Sequence, residues 1–346
     1  MIAGPYQRSG IVLGEGDMVT QRIVNPSISG SSPDLPAIHI QGMHGLGDNI
    51  HQRAVVRQLM KRYRVTLETS WPSVYHDFDI GLARRNVSLR TQQKNSEREA
   101  DKFVSRHPLT RSGMRISYTG QQVLASPSKT ILEVMCNVTG TSFAEADFSF
   151  PIPDSWDHAL DAALGPLPDR ARGRPWVVYR PLCARPEWRG SMARNADPAS
   201  YQELFNRIRE QFFVISVADL VPTREWIVGP EMDADLKFHK GELHFELLAA
   251  LMHRADLVFT SSGFAAVLGP AVGTPTISVI GGYEDTRCHD AGARHAPYLA
   301  IGPRVPCTCW TSACMRDCAK TIDMQIAGPA IDDFVSQTCI QTGDKQ

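Results

Sequence analysis

Two small-residue turns, each set between an apolar run and a helical pattern, constrain this chain more than any other feature. Ala37-Ile38-His39-Ile40 leads into Gly45-Leu46-Gly47-Asp48-Asn49, and Ala255-Asp256-Leu257-Val258-Phe259 leads into Thr260-Ser261-Ser262-Gly263-Phe264. A strand passing through such a turn into a helix leaves backbone N–H groups unpaired at the positive end of the helix dipole. That place suits a phosphate or a developing anion. One such turn in each half predicts two α/β domains facing each other across a nucleotide-sized cleft.

The rest of the pattern fits. After the first turn, Ile50, Ala54, Val55, Leu59 and Met60 recur near helical spacing, with arginine between them, and Arg64 to Thr69 reads as a second strand. Met114 to Tyr118 is a candidate third strand, and Ser128 to Cys136 a helical or mixed segment. Pro151, Pro153, Gly165, Pro166, Pro168 and Gly173 surround a short helix at Trp156 to Leu164 and mark the best boundary in the chain. Beyond it come strands at 175–179, 213–217, 226–228, 257–260 and 276–280, with helices at 198–211, 243–254 and 264–272. That alternation indicates a doubly wound parallel sheet. The expected division is a peripheral segment over 1–36, a first domain over 37–155 and a linker over 156–174. A second domain over 175–325 and a tail or return helix over 326–346 complete it.

At 346 residues with a formal net charge of −1, the chain has room for two cores and no surface uniformly suited to nucleic acid. No apolar run approaches the ~20 residues of a bilayer span, and residues 1–8 lack the basic-then-apolar order of a secretory leader. The expected setting is cytoplasmic. One stretch is strongly basic: between Arg84 and Arg115 nine Lys or Arg residues face only Glu97, Glu99 and Asp101. It is either a solvated face or a docking surface for an anionic acceptor, a phosphorylated glycan or a nucleic acid.

Asp48 suits two roles, capping the helix that follows or taking a proton from a substrate hydroxyl at the mouth of a crevice beyond a strand end. The run Gly45-Leu46-Gly47-Asp48-Asn49-Ile50-His51 resembles the N-terminal signature of the heptosyltransferase-like glycosyltransferases, glycosyltransferase family 9. Residues 242–282, from Glu242-Leu243 through the second turn and Gly273-Thr274-Pro275-Thr276 to Gly282, are similar to that family's nucleotide-sugar segment. The resemblance covers roughly 37–70 and 175–285.

It implies a GT-B fold, two Rossmann-like domains, and an inverting transfer from a nucleotide-diphosphate sugar to an acceptor hydroxyl with no metal at the leaving phosphate. Asp48 would be the general base, with Gly47, Asn49, His44 and His51 toward the acceptor. Ser261, Ser262, Gly263 and Phe264 would hold the donor, with Arg180, Arg185 and Arg189 as candidate phosphate contacts and Glu231 at the ribose. The family turn carries an aspartate where this chain has Ser261, which keeps open a catalytically silent nucleotide-sugar-binding protein. The basic stretch keeps open a glycosyltransferase acting on hydroxymethylated bases in DNA.

The cysteines form a separate group. Cys307, Cys309, Cys314 and Cys318 make a C-x-C-x4-C-x3-C cluster, with Cys288-His289 upstream. Four thiolates satisfy tetrahedral zinc, and clustered thiols in a reducing compartment point to metal or to free thiols before disulfides. The expectation is a structural zinc at most, with no cofactor required for catalysis.

Overall fold

The computed structural model describes residues 35–339 except 86–97, 100–101, 103–112, 186–192, 221, 224, 306, 308–317 and 319. Calls that fall on Arg189, Cys309 and Cys314 therefore lie outside the described residues.

The first sheet contains β1 (Ala37–Gln41), β2 (Arg64–Thr69), β3 (Gly81–Arg84) and β4 (Met114–Arg115), in the order β3-β2-β1-β4. All three pairings are parallel, with Ala37 opposite Arg64 and Ile40 opposite Met114. The expected third strand is thus real but only two residues long. Helix α1 (Leu46–Met60) connects β1 to β2. It is buried nearly all round, polar Asn49, His51, Gln52 and Arg53 included. The cause is tertiary: one face lies on its own sheet and another meets α7 (Phe264–Ala271) of the second half. Arg53, read from sequence as a polar-face residue, is 2% exposed. Its guanidinium lies 4.5 Å from the ring centroids of both Phe78 and Phe150 and grips Asp77 at 2.7 and 3.0 Å. Helices α2 (Gly120–Ala125) and α3 (Ile131–Thr139) follow; α3 ends on Gly140 at φ 64°.

The second sheet has six parallel strands: β5 (Trp176–Tyr179), β7 (Phe213–Val217), β9 (Leu236–Phe238), β10 (Leu257–Thr260), β11 (Thr276–Val279) and β12 (Tyr298–Ile301). Their order is β12-β11-β10-β5-β7-β9. β7 and β10 are buried at every position, as strands covered on both faces by helices must be. The expected strand at 226–228 does not join this sheet. β8 (Trp226–Ile227) pairs antiparallel with β6 (Cys183–Ala184) instead. Helices α5 (Pro198–Arg209), α6 (Phe245–Arg254) and α8 (Met324–Thr338) cover the sheet; α8 rests on α5.

The 156–174 segment contains most of helix α4 (Asp154–Leu164), which packs on α6. Trp156 lies 4.5 Å from the His76 ring and 6.3 Å from Phe245, and Arg254 bonds both Asp157 and Asp161. Side chains of both halves share one continuous apolar cluster, from Ile40 and Leu59 to Val258 and Val267. Burial of that extent holds the halves in register.

Candidate active site

The strand order of the second sheet reverses at β5 and β10, and the crevice beyond their carboxyl ends is the usual ligand position in an open α/β sheet. A cavity of about 400 Å³ opens there, lined from both halves. The two glycine turns meet across it: a Cβ added at Gly47 would lie 3.4 Å from Phe264 Cα. His44, Gly47, Asp48 and His51 line it from the front, and Arg180, Arg185 and residues 261–264 from the rear.

Helix α1 begins at Leu46, earlier than the sequence indicated, with Gly45 as N-cap. Asp48 is therefore inside the first turn and makes no cap hydrogen bond. A side chain at position 45 would meet the Asp48 carboxylate at 2.6 Å, so the glycine is what gives that carboxylate its place. The Tyr118 hydroxyl donates to Asp48 Oδ1 at 2.8 Å. Burial raises the Asp48 pKa above the ordinary carboxylate value, while the Tyr118 hydrogen bond and the charges of Arg194 and His289 pull the other way. A carboxylate so placed is a base with a raised proton affinity.

The rear turn holds Gly263 at φ 149°, a conformation that disfavours any side chain. Next to it, the Ser262 hydroxyl donates to Glu284, whose Oε1 pairs with Arg194 at 3.0 Å. Burial opposes ionisation of Glu284, and Arg194 overcomes it, holding the carboxyl well below its usual range. Arg194 is delivered by a close backbone approach: Gly281 N–H donates to Arg194 O, and a Cβ at Gly281 would meet Ala193 O at 2.0 Å. Deeper in the cavity wall, Arg180 and Arg185 share the fully buried Glu225 at 3.1 and 2.6 Å. Both guanidiniums line the cavity. Arg180 also lies 5.3 Å from the Phe264 ring centroid.

Several sequence expectations are corrected. Asn49 is fully buried and its side chain ties the first turn together, donating to Met43 O and Gly45 O and accepting from Thr69; it is not at an acceptor surface. His51 is fully buried with its Nε2 3.3 Å from Nδ1 of His289, at the cavity lining. Glu231 stands outside the cavity wall and pairs with Lys237 at 2.8 Å. In the basic stretch, Arg85 bonds His44 and Gly42 O, Arg98 bonds Gly241 O, and Lys102 bonds Glu99 and Glu246. These three hold the protein's own parts together; Arg84 and Arg115 are exposed.

The sequence reading missed Tyr118, Arg194, Glu225 and Glu284, and noted His289 only beside the cysteine cluster. Only Glu284 carried a local signal, an acid just past Gly281-Gly282 at the end of a parallel strand. The others are brought in by contacts between distant segments.

No protein-family model matches the chain, and no curated protein matches its sequence. Solved structures do match its fold. The family 9 glycosyl transferase of Veillonella parvula superposes with a TM-score of 0.58 at 13% identity, over 87% of this chain and 98% of that one. The iron-containing dodecameric glycosyltransferase TibC of enterotoxigenic E. coli gives 0.55 at 12%, over 88% and 76%. The ADP-heptose lipopolysaccharide heptosyltransferase II of E. coli gives 0.52 at 10%, over 87% and 99%. The chain thus has the two-domain Rossmann-like GT-B fold of the heptosyltransferase-like glycosyltransferases. Among the described residues, no helix is long and apolar enough to cross a membrane.

Proposed function

We propose that this protein is an inverting glycosyltransferase that moves a sugar from a nucleotide diphosphate to an acceptor hydroxyl. The observation that carries the reading is the meeting of the two glycine turns on one cavity, with Asp48 on one wall and the open amino end of α7 on the other. Asp48 takes the acceptor proton as the hydroxyl oxygen attacks the anomeric carbon. The bond from that carbon to the diphosphate oxygen breaks on the opposite face. The departing diphosphate gains negative charge, which the N–H groups at Ser262, Gly263 and Phe264 and the guanidiniums of Arg180, Arg185 and Arg194 stabilise. That step needs no metal. A glycan hydroxyl is the favoured acceptor, because the basic residues that would grip a DNA duplex are in part engaged internally.

Cys307, Cys309, Cys314 and Cys318 remain a candidate structural zinc site on their chemistry alone.

Turnover tests the reading. TibC has been solved with ADP-D-β-D-heptose, so ADP-sugars head the donor panel, followed by UDP- and GDP-sugars. Release of nucleoside diphosphate that disappears in folded Asp48→Asn is the expected result. Equal release by both proteins removes Asp48 from the mechanism; binding without product identifies a silent binding protein.

A further inference from the structure

The chain leaving β11 carries an acid into the cavity that Asp48 also lines. Glu284 follows that strand, and His289 lies on the 3-10 helix Thr286–Arg294; each is 5% exposed and each lines the cavity. We propose that Glu284, with His289 beside it, binds a hydroxyl of the transferred sugar and so selects the donor. The inference rests on the transferase reading and concerns the sugar, which that reading leaves open.

The chemistry of the carboxylate restricts what can face it. Arg194 pairs with Oε1 at 3.0 Å, and the Ser262 hydroxyl donates to Oε2. Burial opposes the charge of Glu284, but Arg194 above all keeps the carboxyl ionised. An ionised carboxylate only accepts hydrogen bonds, and it repels anions. The ligand group against it is therefore a hydrogen-bond donor. The diphosphate of a nucleotide sugar has no such group to offer, whereas the sugar hydroxyls do.

The place of Glu284 along the cavity also points to the sugar. It is tied to Ser262 of the rear turn, yet its charge reaches across the cleft and adds to the proton affinity of Asp48 and Tyr118. In the proposed reaction, the group that spans the base and the diphosphate is the transferred sugar.

His289 supplies a second contact. Its Nε2 is buried with no hydrogen-bond partner among the described residues. It stands 3.7 Å from Glu284 Oε2, an ion-pair separation too long for a direct hydrogen bond. Its Nδ1 is engaged by His51 Nε2 at 3.3 Å. When His51 Nε2–H donates in that bond, the neutral His289 ring carries its proton on Nε2. One hydroxyl oxygen ~2.8 Å from each atom then accepts from His289 and donates to Glu284. Only a group that both gives and takes a hydrogen bond completes this bridge. A methylene does neither, and a uronic carboxylate at that point meets Glu284 as a like charge.

Calorimetric titration of the full chain without acceptor tests the proposal, so a contact made to the acceptor gives no signal. The probes are ADP, UDP and GDP, their hexose and heptose derivatives, and monodeoxy versions of the tightest-binding sugar nucleotide. One monodeoxy donor is expected to bind about 10- to 100-fold more weakly, the range of a hydrogen bond to a charged group. In Glu284→Gln that penalty falls about threefold or more. The bare nucleoside diphosphate binds the variant as well as before or better, because Arg194 loses its counter-charge. His289→Phe also lowers the penalty and serves as the test if circular dichroism shows Glu284→Gln unfolded. A deoxy series with no loss, or a loss that neither variant changes, overturns the proposal and leaves the transferase reading standing. Much weaker binding of the bare diphosphate by Glu284→Gln overturns it too, since that marks a prop for the phosphate site. If the chain binds none of these nucleotides, the transferase reading falls and the proposal with it.

Discussion

The Tyr118 hydroxyl donates a 2.8 Å hydrogen bond to Asp48 Oδ1, joining a residue just past β4 to the first turn of α1. Burial raises the proton affinity of the proposed base and this bond opposes it, which makes the bond a handle on the mechanism.

A base must be ionised to act, and hydrogen bonding favours the ionised carboxylate. Tyr118→Phe removes that support, so the Asp48 pKa rises further. The acidic limb of the kcat/KM profile is expected to move to higher pH by about one to two units. An unmoved limb in the variant assigns the titration to another group.

Glu225 offers a prediction about stability. Burial alone would raise its pKa, but Arg180 and Arg185 bring it down to about 2. A depressed carboxylate adds stability above its unfolded value of ~4.3, and that stability is lost as pH falls toward the folded value. Glu225→Gln is therefore expected to cost roughly 3 kcal/mol near neutrality and little near pH 2. Urea melts at several pH values check it, and a cost that does not shrink in acid contradicts the pairing.

Gly281 is required by contact rather than by torsion. A Cβ there would sit 2.0 Å from Ala193 O, so the main chain must separate. Gly281→Ala should destabilise by about 2 kcal/mol or more and displace Arg194. Donor binding is expected to weaken relative to the unsubstituted protein, since Arg194 lines the cavity. Calorimetric titration with nucleoside diphosphate compares the two.

Lys102 neutralises two acids at once, Glu99, which is 1% exposed, and Glu246 on α6. The Ser73 amide and hydroxyl complete the cluster by donating to Glu99 at 3.0 Å and to Glu246 at 2.9 Å. Lys102→Met strands buried charge and is expected to cost roughly 3–5 kcal/mol. Combining it with Glu99→Gln should recover part of the loss. Strictly additive effects in thermal melts would show that the two do not interact.

The order of strands and helices, the two turns and their likeness to family 9 were legible along the chain because they rest on local rules. Side-chain alternation, helical spacing and glycine torsions act over a few residues, and the structure agrees with them at β1, α1, β2, β5, β10 and β11. Where a local rule met a distant neighbour, it failed. Arg53 follows a surface pattern but is buried, because α1 is covered by α7 as well as by its own sheet.

What the chain determined by itself is the pair of phosphate-suited turns and Asp48 within one of them. Tertiary structure alone decided what surrounds that carboxylate. Tyr118, Arg194, Glu284 and His289 are separated by up to 171 positions, and they meet through backbone approaches such as that of Gly281 to Ala193. Such approaches follow from how strands are ordered in space, and spacing along the sequence does not encode that order.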